Sequence, residues 1–512
     1  MPTLAGEMES YTQSTSAPAH GAREAQLAIW NTLKLSSSLI LTWGVALGVR
    51  ALLPRYLGPA QFGAYSFAEA VAMTFFVFCS LGVETYVQKE IPIRPEHASE
   101  FFGGILALRL AMSSLLLAAM CLGLALTGRS HEIVLAAAIF GLGQIFFVHN
   151  ATFVSMLNAR GTVDGMSVIN VIAKASWGAC IFSAVALHLG LWALAASFLV
   201  GEALRSAALY HLCRRHLSLR LTLHRGHLTS ALKRSAPFFV TGLALTLYSR
   251  FDVMLLSYLA TAREVGWYSA SSQVSNLGLM LIPLISGVCL PMFSRARRRS
   301  EAELGVTIRR SLEVILTLAI PVSLALFIGA EVWIRVLGGA GFEPAARSLR
   351  VISPIFILTY VAILSSSCLN LINRAWTVTR VCLCGIFINA GLNVLLITKL
   401  GPRLGTGGAG MGAALAAVLT EAFVCALLLS VIGRRVIDAR LLRSLARTAG
   451  VCAAVFLLDL LLRPLGPWRL LADGAAYVGL ALLGGVVRLD EVRVLVARSR
   501  GAPSPAASAL PG

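Results

Sequence analysis

The feature that most limits how this chain can fold is a succession of apolar runs, each near 20 residues long. A helix needs about 20 apolar residues to cross the hydrocarbon core of a bilayer. The runs predict about fourteen transmembrane helices, at 32–53, 63–87, 102–127, 133–157, 165–187, 190–212, 236–258, 266–293, 311–331, 351–372, 378–398, 408–432, 444–463 and 468–487. The predicted fold class is therefore an all-α polytopic membrane protein.

The low fraction of charged residues agrees with this class. Charged residues make up 13% of the chain, against about 25% in a soluble domain. The net charge of +19 would suggest nucleic acid as a partner of a soluble protein, but here the basic residues lie mainly in short loops between apolar runs. That distribution is typical of the positive-inside bias, so we expect no nucleic-acid partner.

The Lys and Arg count orients the predicted helices. One set of loops and tails carries 29 of these residues, the other set carries 11, and three lie inside predicted spans. Cytoplasmic loops are the ones enriched in Lys and Arg. Both termini are therefore predicted to be cytoplasmic. An even number of spans agrees, because it puts the two termini on the same side of the membrane. Residues 1–24 lack an apolar stretch, so no cleavable signal peptide is expected.

Two outer hairpins contain similar sequences that suggest an internal repeat. The first reads Y-L-G-P-A-Q-F-G-A-Y-S at 56–66, and the second, six spans later, reads Y-L-A-T-A-R-E-V-G-W-Y-S at 258–269. An even number of intervening spans gives a parallel repeat, related by an axis along the membrane normal. We therefore predict two six-helix lobes that enclose a central cavity, followed by two further helices.

This repeat predicts the domain organisation. The predicted segments are a disordered cytoplasmic tail at 1–28, an N-terminal lobe at 29–213, a basic cytoplasmic linker at 214–234, a C-terminal lobe at 235–433, the last two helices at 434–490, and a cytoplasmic tail with a disordered end at 491–512. The alignment also puts Arg50 and Asp252 at equivalent positions. These opposite charges could pair across the lobes in one state and separate in another, as a gate.

Three stretches resemble the oligosaccharide flippase (polysaccharide transporter) family of the multidrug/oligosaccharidyl-lipid/polysaccharide exporter superfamily. They are R-Y-L-G-P-A-Q-F-G-A-Y-S at 55–66, R-F-D-V-M-L-L-S-Y-L-A-T-A-R-E-V-G-W-Y-S-A at 250–270, and L-G-G-A-G-F-E-P-A-A-R-S-L-R-V-I-S at 337–353. The chain departs from many relatives in having Ala260-Thr261 where a turn glycine often stands.

The resemblance implies a two-lobed transporter in the cytoplasmic (inner) membrane. Its expected cargo is a polyprenyl-diphosphate-linked oligosaccharide, a repeat unit of a surface polysaccharide, moved to the outer leaflet by alternating access. The expected partners are this lipid-linked glycan, the membrane lipids and a polysaccharide polymerase. An ion-coupled exporter of small molecules or drugs on the same fold is the alternative.

Three cations fall inside predicted spans and are candidate substrate-binding residues. They are Lys174, Arg250 and Arg109. A charge at mid-span costs about 2.5–3.5 kcal/mol on insertion scales, so each needs a reason to be there. Cations that face a cavity would attract a diphosphate or an acidic sugar. The alternative is that each is bonded to helix carbonyls or to an acid on a neighbouring helix.

Other intramembrane polar residues have weaker patterns. Glu69 and Glu421 are candidates for proton or sodium coupling. Asn389 and Asn393 share a helix face and could bind sugar hydroxyls, although a link between helices is the favoured interpretation. Glu202 and Arg205, three residues apart, are expected to pair with each other.

The sequence favours transport over catalysis. It contains no P-loop, no G-x-S-x-G motif and no carboxylate cluster, and its predicted outer loops are too short to carry an enzyme site. Its cysteines lie in apolar runs, and the side chains of Cys382 and Cys384 would point to different helix faces. We therefore expect no metal site, no cofactor and no enzymatic activity.

Overall fold

The structure is a computed structural model that describes residues 17–84, 87, 98–159, 164–216, 225–372, 374–432 and 438–484. Residues 1–16 of the predicted N-terminal tail, 217–224 of the predicted linker and the predicted C-terminal tail lie outside these residues. Residues 17–28, which the sequence analysis placed in the disordered N-terminal tail, are instead the helical start of α1.

The described residues form helices and the turns between them. The α-helices are α1 (Ala17–Phe76), α2 (Ala98–Leu126), α3 (His131–Ala159), α4 (Asp164–Ala186), α5 (Leu191–His216), α6 (Arg225–Leu259), α7 (Ala262–Leu277), α8 (Ile282–Arg299), α9 (Glu301–Ile328), α10 (Ala330–Gly338), α11 (Ala345–Ile352), α12 (Ile355–Leu371), α13 (Ala375–Leu404), α14 (Gly408–Ile432), α15 (Ala439–Leu462) and α16 (Arg469–Leu483). Short 3-10 segments cover Val77–Ser80, Gly278–Leu281 and Arg463–Trp468.

This architecture confirms the all-α membrane class. Each predicted apolar run overlaps a helix, and ten helical segments of the described chain are long and apolar enough to cross a membrane. Two of the ten, Leu41–Ser80 and Leu441–Leu483, each overlap two predicted spans. The predicted spans at 236–258 and 266–293 lie on α6 and on α7–α8, outside those ten. The exact number of fourteen stays a prediction.

The chain packs as two compact units. Unit 1 comprises Met1–Arg50 and Phe75–Phe239, and unit 2 comprises Ala51–Thr74 and Val240–Gly512. Helix α1 contributes to both, and its backbone breaks at Gly58, where φ is 67°. The sequence analysis placed residues 51–74 in the N-terminal lobe, whereas they belong to unit 2. These units and the predicted lobes therefore do not have the same boundaries. The repeat that relates the lobes stays a prediction.

Unit 1 is built on the packing of α5 against α3 and α4. Phe140 of α3 and Phe198 of α5 have ring centroids 5.9 Å apart. Nearby, the Glu202 carboxylate lies 3.5 Å from the Arg205 guanidinium and accepts a 2.9 Å hydrogen bond from Asn150 Nδ2. The predicted pairing of Glu202 with Arg205 is confirmed, and Asn150 joins this pair to α3.

Unit 2 brings together the three stretches that carry the family resemblance. Arg55 donates a hydrogen bond to the Val336 carbonyl. The rings of Phe62 and Phe342 meet edge to face at 6.0 Å. Trp267 Nε1 donates to the Gly341 carbonyl at 2.7 Å. The stretches at 55–66, 250–270 and 337–353 therefore form one packing cluster, which we call the motif cluster.

At the centre of the motif cluster, α1 and α7 cross at two glycines. A Cβ on Gly63 would lie 2.0 Å from the Ala262 carbonyl oxygen, and a Cβ on Gly266 would lie 1.9 Å from the Pro59 carbonyl oxygen. These are the glycines that the sequence repeat aligns with each other. Small residues let helix backbones approach closely in a membrane. Close approach matters there because apolar side chains are stabilised no more by protein contacts than by lipid contacts through the hydrophobic effect. Only glycine fits at either position.

A carboxylate in the first turn of α7 binds the N-terminus of α14. Glu264 is buried and accepts hydrogen bonds from the backbone N–H groups of Gly407, at 2.6 Å, and Gly410, at 2.8 Å. These N–H groups lie at the N-terminus of α14, where four donors lack helical partners and the helix dipole favours an anion. Thr261, in place of the family's turn glycine, accepts a bond from the Glu264 N–H and caps α7.

We expect Gly266→Ala to destabilise the protein by about 1–3 kcal/mol, because the added methyl group overpacks the crossing against backbone atoms. Gly242→Ala on α6 is the matched control, since a Cβ there has no other atom within 4 Å. The measurement is the apparent Tm of each purified variant in detergent. Equal Tm values for the two variants would contradict the close crossing.

Candidate functional site

The candidate site is a cavity of about 540 Å³ inside unit 2. Its walls come from α6, α7, α11, α12, α13 and α14 and from the 3-10 segment at Gly278–Leu281. Its lining includes one basic side chain, Arg250, and two acidic ones, Asp252 and Glu421. A neutral polar surface adds hydroxyl and amide groups, from residues that include Ser272, Asn276, Ser366, Ser367, Asn370 and Asn389.

A break in the helix after α7 shapes one wall. The chain leaves α-helical geometry at Gly278–Leu281 and resumes it in α8. Phe356 occupies the space beside Gly278, where a Cβ would lie 2.0 Å from its ring. Tyr360 donates a 2.7 Å hydrogen bond to the Gly278 carbonyl at this break. Short 3-10 stretches inside longer helices often mark functional hinges, and this one lies at the cavity wall.

Asp252 is 7% exposed and already has two donors within unit 2. One carboxylate oxygen accepts from the Tyr268 hydroxyl, and the other accepts from the Val253 N–H at 2.8 Å. The Arg250 guanidinium, two residues earlier on α6, lies within range of Coulomb attraction. The predicted gate pair of Asp252 with Arg50 joins residues of different units and stays a prediction.

The part of the lining that α13 and α14 supply includes Asn389 and Glu421. Glu421 is 5% exposed and lines the cavity from α14. On α13, Asn393 is buried and donates to the Asn389 carbonyl at 2.9 Å and to its side-chain oxygen at 3.0 Å. The Asn389 amide lies 3.5 Å from the Thr420 hydroxyl of α14. The polar stripe on α13 therefore links helices, and Asn389 also faces the cavity.

Arg109 lies in unit 1 and is fully buried. Its guanidinium is 2.6 Å from Glu84 and donates to the Val148 carbonyl at 3.1 Å, to the Ser80 carbonyl and to the Thr152 hydroxyl. Of the two interpretations of Arg109, this geometry matches the bonded one. The residue joins α2 to α3 and to the segment after α1.

The remaining candidates are not among the residues that line the cavity. Lys174 is half-buried on α4 in unit 1, with its ammonium 3.6 Å from the centre of the Trp177 ring, a cation–π contact. Glu69 is half-buried in the α1 part of unit 2, near Tyr65. Of the three cations predicted to bind substrate, only Arg250 lines the unit 2 cavity. Substrate contact by Lys174 stays a prediction.

Several cavity residues carried a signal that the sequence analysis did not use. Ser366, Ser367 and Asn370 interrupt the apolar run of α12 on one helix side. Tyr268 lies in a stretch that is dominated by packing contacts, so its hydroxyl could not be assigned to Asp252 without the fold. The ten cysteines are free, and the described residues hold no group of three or more metal-ligating side chains.

Comparison with solved structures identifies the fold. An inward closed conformation of the lipid II flippase MurJ matches with a TM-score of 0.69 and 15% identity, covering 92% of this chain and 99% of that chain. An inward-facing multidrug resistance MATE family transporter of the MOP superfamily matches with a TM-score of 0.58 and 12% identity, covering 81% and 98%. At these identities the likeness shows the fold alone.

Sequence comparison agrees with this fold. A putative O-antigen transporter of Escherichia coli (strain K12) is 24% identical over 136 residues, which are 27% of this chain and 33% of that protein. The match therefore spans about a third of the relative's length. A model of the MatE family matches residues 237–395, and a model described as polysaccharide biosynthesis protein matches residues 29–297. Because the last match covers more than half of the chain, the protein belongs to the polysaccharide biosynthesis protein family.

Proposed function

We propose that this transporter is a flippase that moves a polyprenyl-diphosphate-linked oligosaccharide across the cytoplasmic membrane by alternating access. The observation that carries the proposal is the unit 2 cavity, in which one guanidinium, Arg250, stands among hydroxyl and amide groups. A lipid-linked glycan presents both phosphate oxygens and sugar hydroxyls. Guanidinium groups bind phosphate through charge-assisted hydrogen bonds, and hydroxyl and amide side chains suit sugars.

The setting of the cavity supports this cargo. Family membership associates the chain with polysaccharide biosynthesis, and the fold is shared with a lipid II flippase. The cytoplasmic membrane is the corresponding location, and the Lys and Arg distribution supports cytoplasmic termini. A polysaccharide polymerase, which would consume the transferred repeat unit, is the protein partner that fits this role.

A second candidate function is ion-coupled export of small molecules. The observation that favours it is that the cavity lining contains two carboxylates, Asp252 and Glu421, and a single guanidinium. Carboxylates would bind a cationic substrate or a coupling ion. Glu421, which lines the cavity and is a predicted coupling residue, is the candidate for exchange of a cation.

Arg250→Gln should slow leaflet transfer of a labelled lipid-linked oligosaccharide by about tenfold or more in reconstituted vesicles. A hydrogen bond to a charged group is worth about 1.5–3 kcal/mol, and the variant loses the charge. Arg250→Lys should retain part of the rate. Arg299→Gln is the matched control, because Arg299 is exposed on α8 and pairs with Glu303 at 2.8 Å. Equal rates for Arg250→Gln and Arg299→Gln would contradict the role of Arg250, and Lys174→Ala tests the second cation.

Glu421→Gln should make transport independent of an imposed sodium or proton gradient, because an amide cannot exchange a cation. The measurement compares transfer rates in vesicles with and without each gradient. Glu69→Gln is the control, since Glu69 is the other predicted coupling residue and does not line the cavity. Gradient stimulation that persists in Glu421→Gln and disappears in Glu69→Gln would move the coupling role to Glu69. Export of a cationic drug, with no glycan transfer by the parent protein, would favour the second function.

A further inference from the structure

The C-terminal helix pair buries a group of charges that the cavity does not use. Asp459 lies one turn before the end of α15, and Asp473 lies one turn into α16. Both aspartates are 3% exposed. Arg469, the first residue of α16, has its Nε 3.2 Å from Asp459 Oδ1, and its Nη2 donates to the Ile328 carbonyl at the end of α9 at 3.1 Å. We call these three residues the hairpin cluster.

The charges of the hairpin cluster do not balance if both carboxyl groups are ionised. Two carboxylates then face one guanidinium in a buried site. Like charges held this close repel strongly where the dielectric constant is low, and a buried charge without a partner costs several kcal/mol, in order of magnitude. One bound proton would make the cluster neutral.

The hydrogen-bond partners of the hairpin cluster also indicate a missing proton. Among the described residues, neither oxygen of Asp473 has a donor, although both are buried. The Arg469 Nε–H, though close to Asp459 Oδ1, is not aligned with it for a hydrogen bond. The two carboxyl groups nevertheless lie within hydrogen-bonding reach of each other. An ionised carboxylate can only accept, so two of them share a hydrogen bond only when one carries a proton.

The neighbouring titratable groups have other partners or lie elsewhere. Glu331, after α9, pairs with Arg350 at 2.7 Å, and that hydrogen bond and charge lower the pKa of Glu331. The charges of Arg469 and Arg335 lower it as well. Tyr477 of α16, which is near Cys452 of α15, is 3.5 Å from the Thr317 carbonyl. Arg463 is exposed in the 3-10 turn. The acidic residues of α9 are in its first half, remote from Ile328. They are Glu301, Glu303 and Glu313.

We propose that Asp459 and Asp473 form a proton-binding site, with one proton shared between their carboxyl oxygens and Arg469 compensating the remaining charge. Both aspartates lie about one helical turn from the segment that joins α15 and α16, so the proton exchanges with the water phase at that turn. In the predicted topology this is the outer phase. Because Arg469 also binds the end of α9, loss of the proton would alter the charge at the contact between the hairpin and α9.

The test uses the full-length protein in detergent or lipid nanodiscs. The infrared spectrum of the wild type should contain a protonated-carboxyl band that titrates with pH and is absent from both Asp473→Asn and Asp459→Asn. The folded state holds the proton, so wild-type stability is present at acid pH and is lost as pH rises through the titration of the pair. Asparagine supplies a neutral donor at all pH values, so the wild-type Tm should fall relative to Asp473→Asn from about pH 5 to about pH 9.

Glu331→Gln is the control, since Glu331 is a nearby but exposed carboxylate, and it should keep the wild-type pH profile. A Tm offset between Asp473→Asn and wild type that is the same at every pH, without the infrared band, would overturn the proposal. A wild-type Tm that rises with sodium chloride but not with choline chloride would assign the site to sodium instead. If Asp473→Asn does not fold, the infrared titration and the salt comparison on the wild type decide the question.

Discussion

The backbone crossing of α1 and α7 at Gly63 and Gly266 is the constraint on which the rest of unit 2 depends. With a carbonyl oxygen about where each Cβ would be, the helices meet backbone to backbone. In a membrane the hydrophobic effect does not drive helices together, so they associate through close packing and hydrogen bonds. Around this crossing, the side chains of Arg55, Glu264 and Trp267 each bond a backbone group of a distant segment.

The same crossing explains why the residues that resemble a transporter family are also packing residues. In the stretch R-E-V-G-W-Y-S, Glu264 binds the N-terminus of α14, Gly266 makes the crossing, and Trp267 binds a carbonyl before α11. Tyr268 is the exception that reaches the site, because its hydroxyl binds Asp252 at the cavity wall. The motif therefore positions the end of α6 relative to the cavity.

Buried charges in this protein fall into three physical situations. Arg109 contacts four oxygen atoms through its two terminal nitrogens, Glu264 is held by two helix N–H groups, and in the hairpin cluster the Asp473 oxygens have no donor within the described part of the chain. The first two lock helices in place at little electrostatic cost, because each charge is compensated locally. Arg250 and Glu421 differ from all of these since they line an open volume. Under the proposed function, these are the two residues that a transported group would contact.

The sequence by itself determined the helical membrane class, the approximate helix positions, the Glu202–Arg205 pair and the family resemblance, because these depend on local apolar length, spacing and motif. The tertiary structure decided which charges face a cavity. Arg109 and Arg250 have the same pattern in the sequence, an arginine inside an apolar run. In the structure Arg109 is bonded to Glu84 and to three further oxygen acceptors, whereas Arg250 lines the unit 2 cavity. Glu264 finds its partner 143 residues away. The partner of a buried charge depends on which distant helices pack against it, and helix packing is not encoded in the spacing along any one helix.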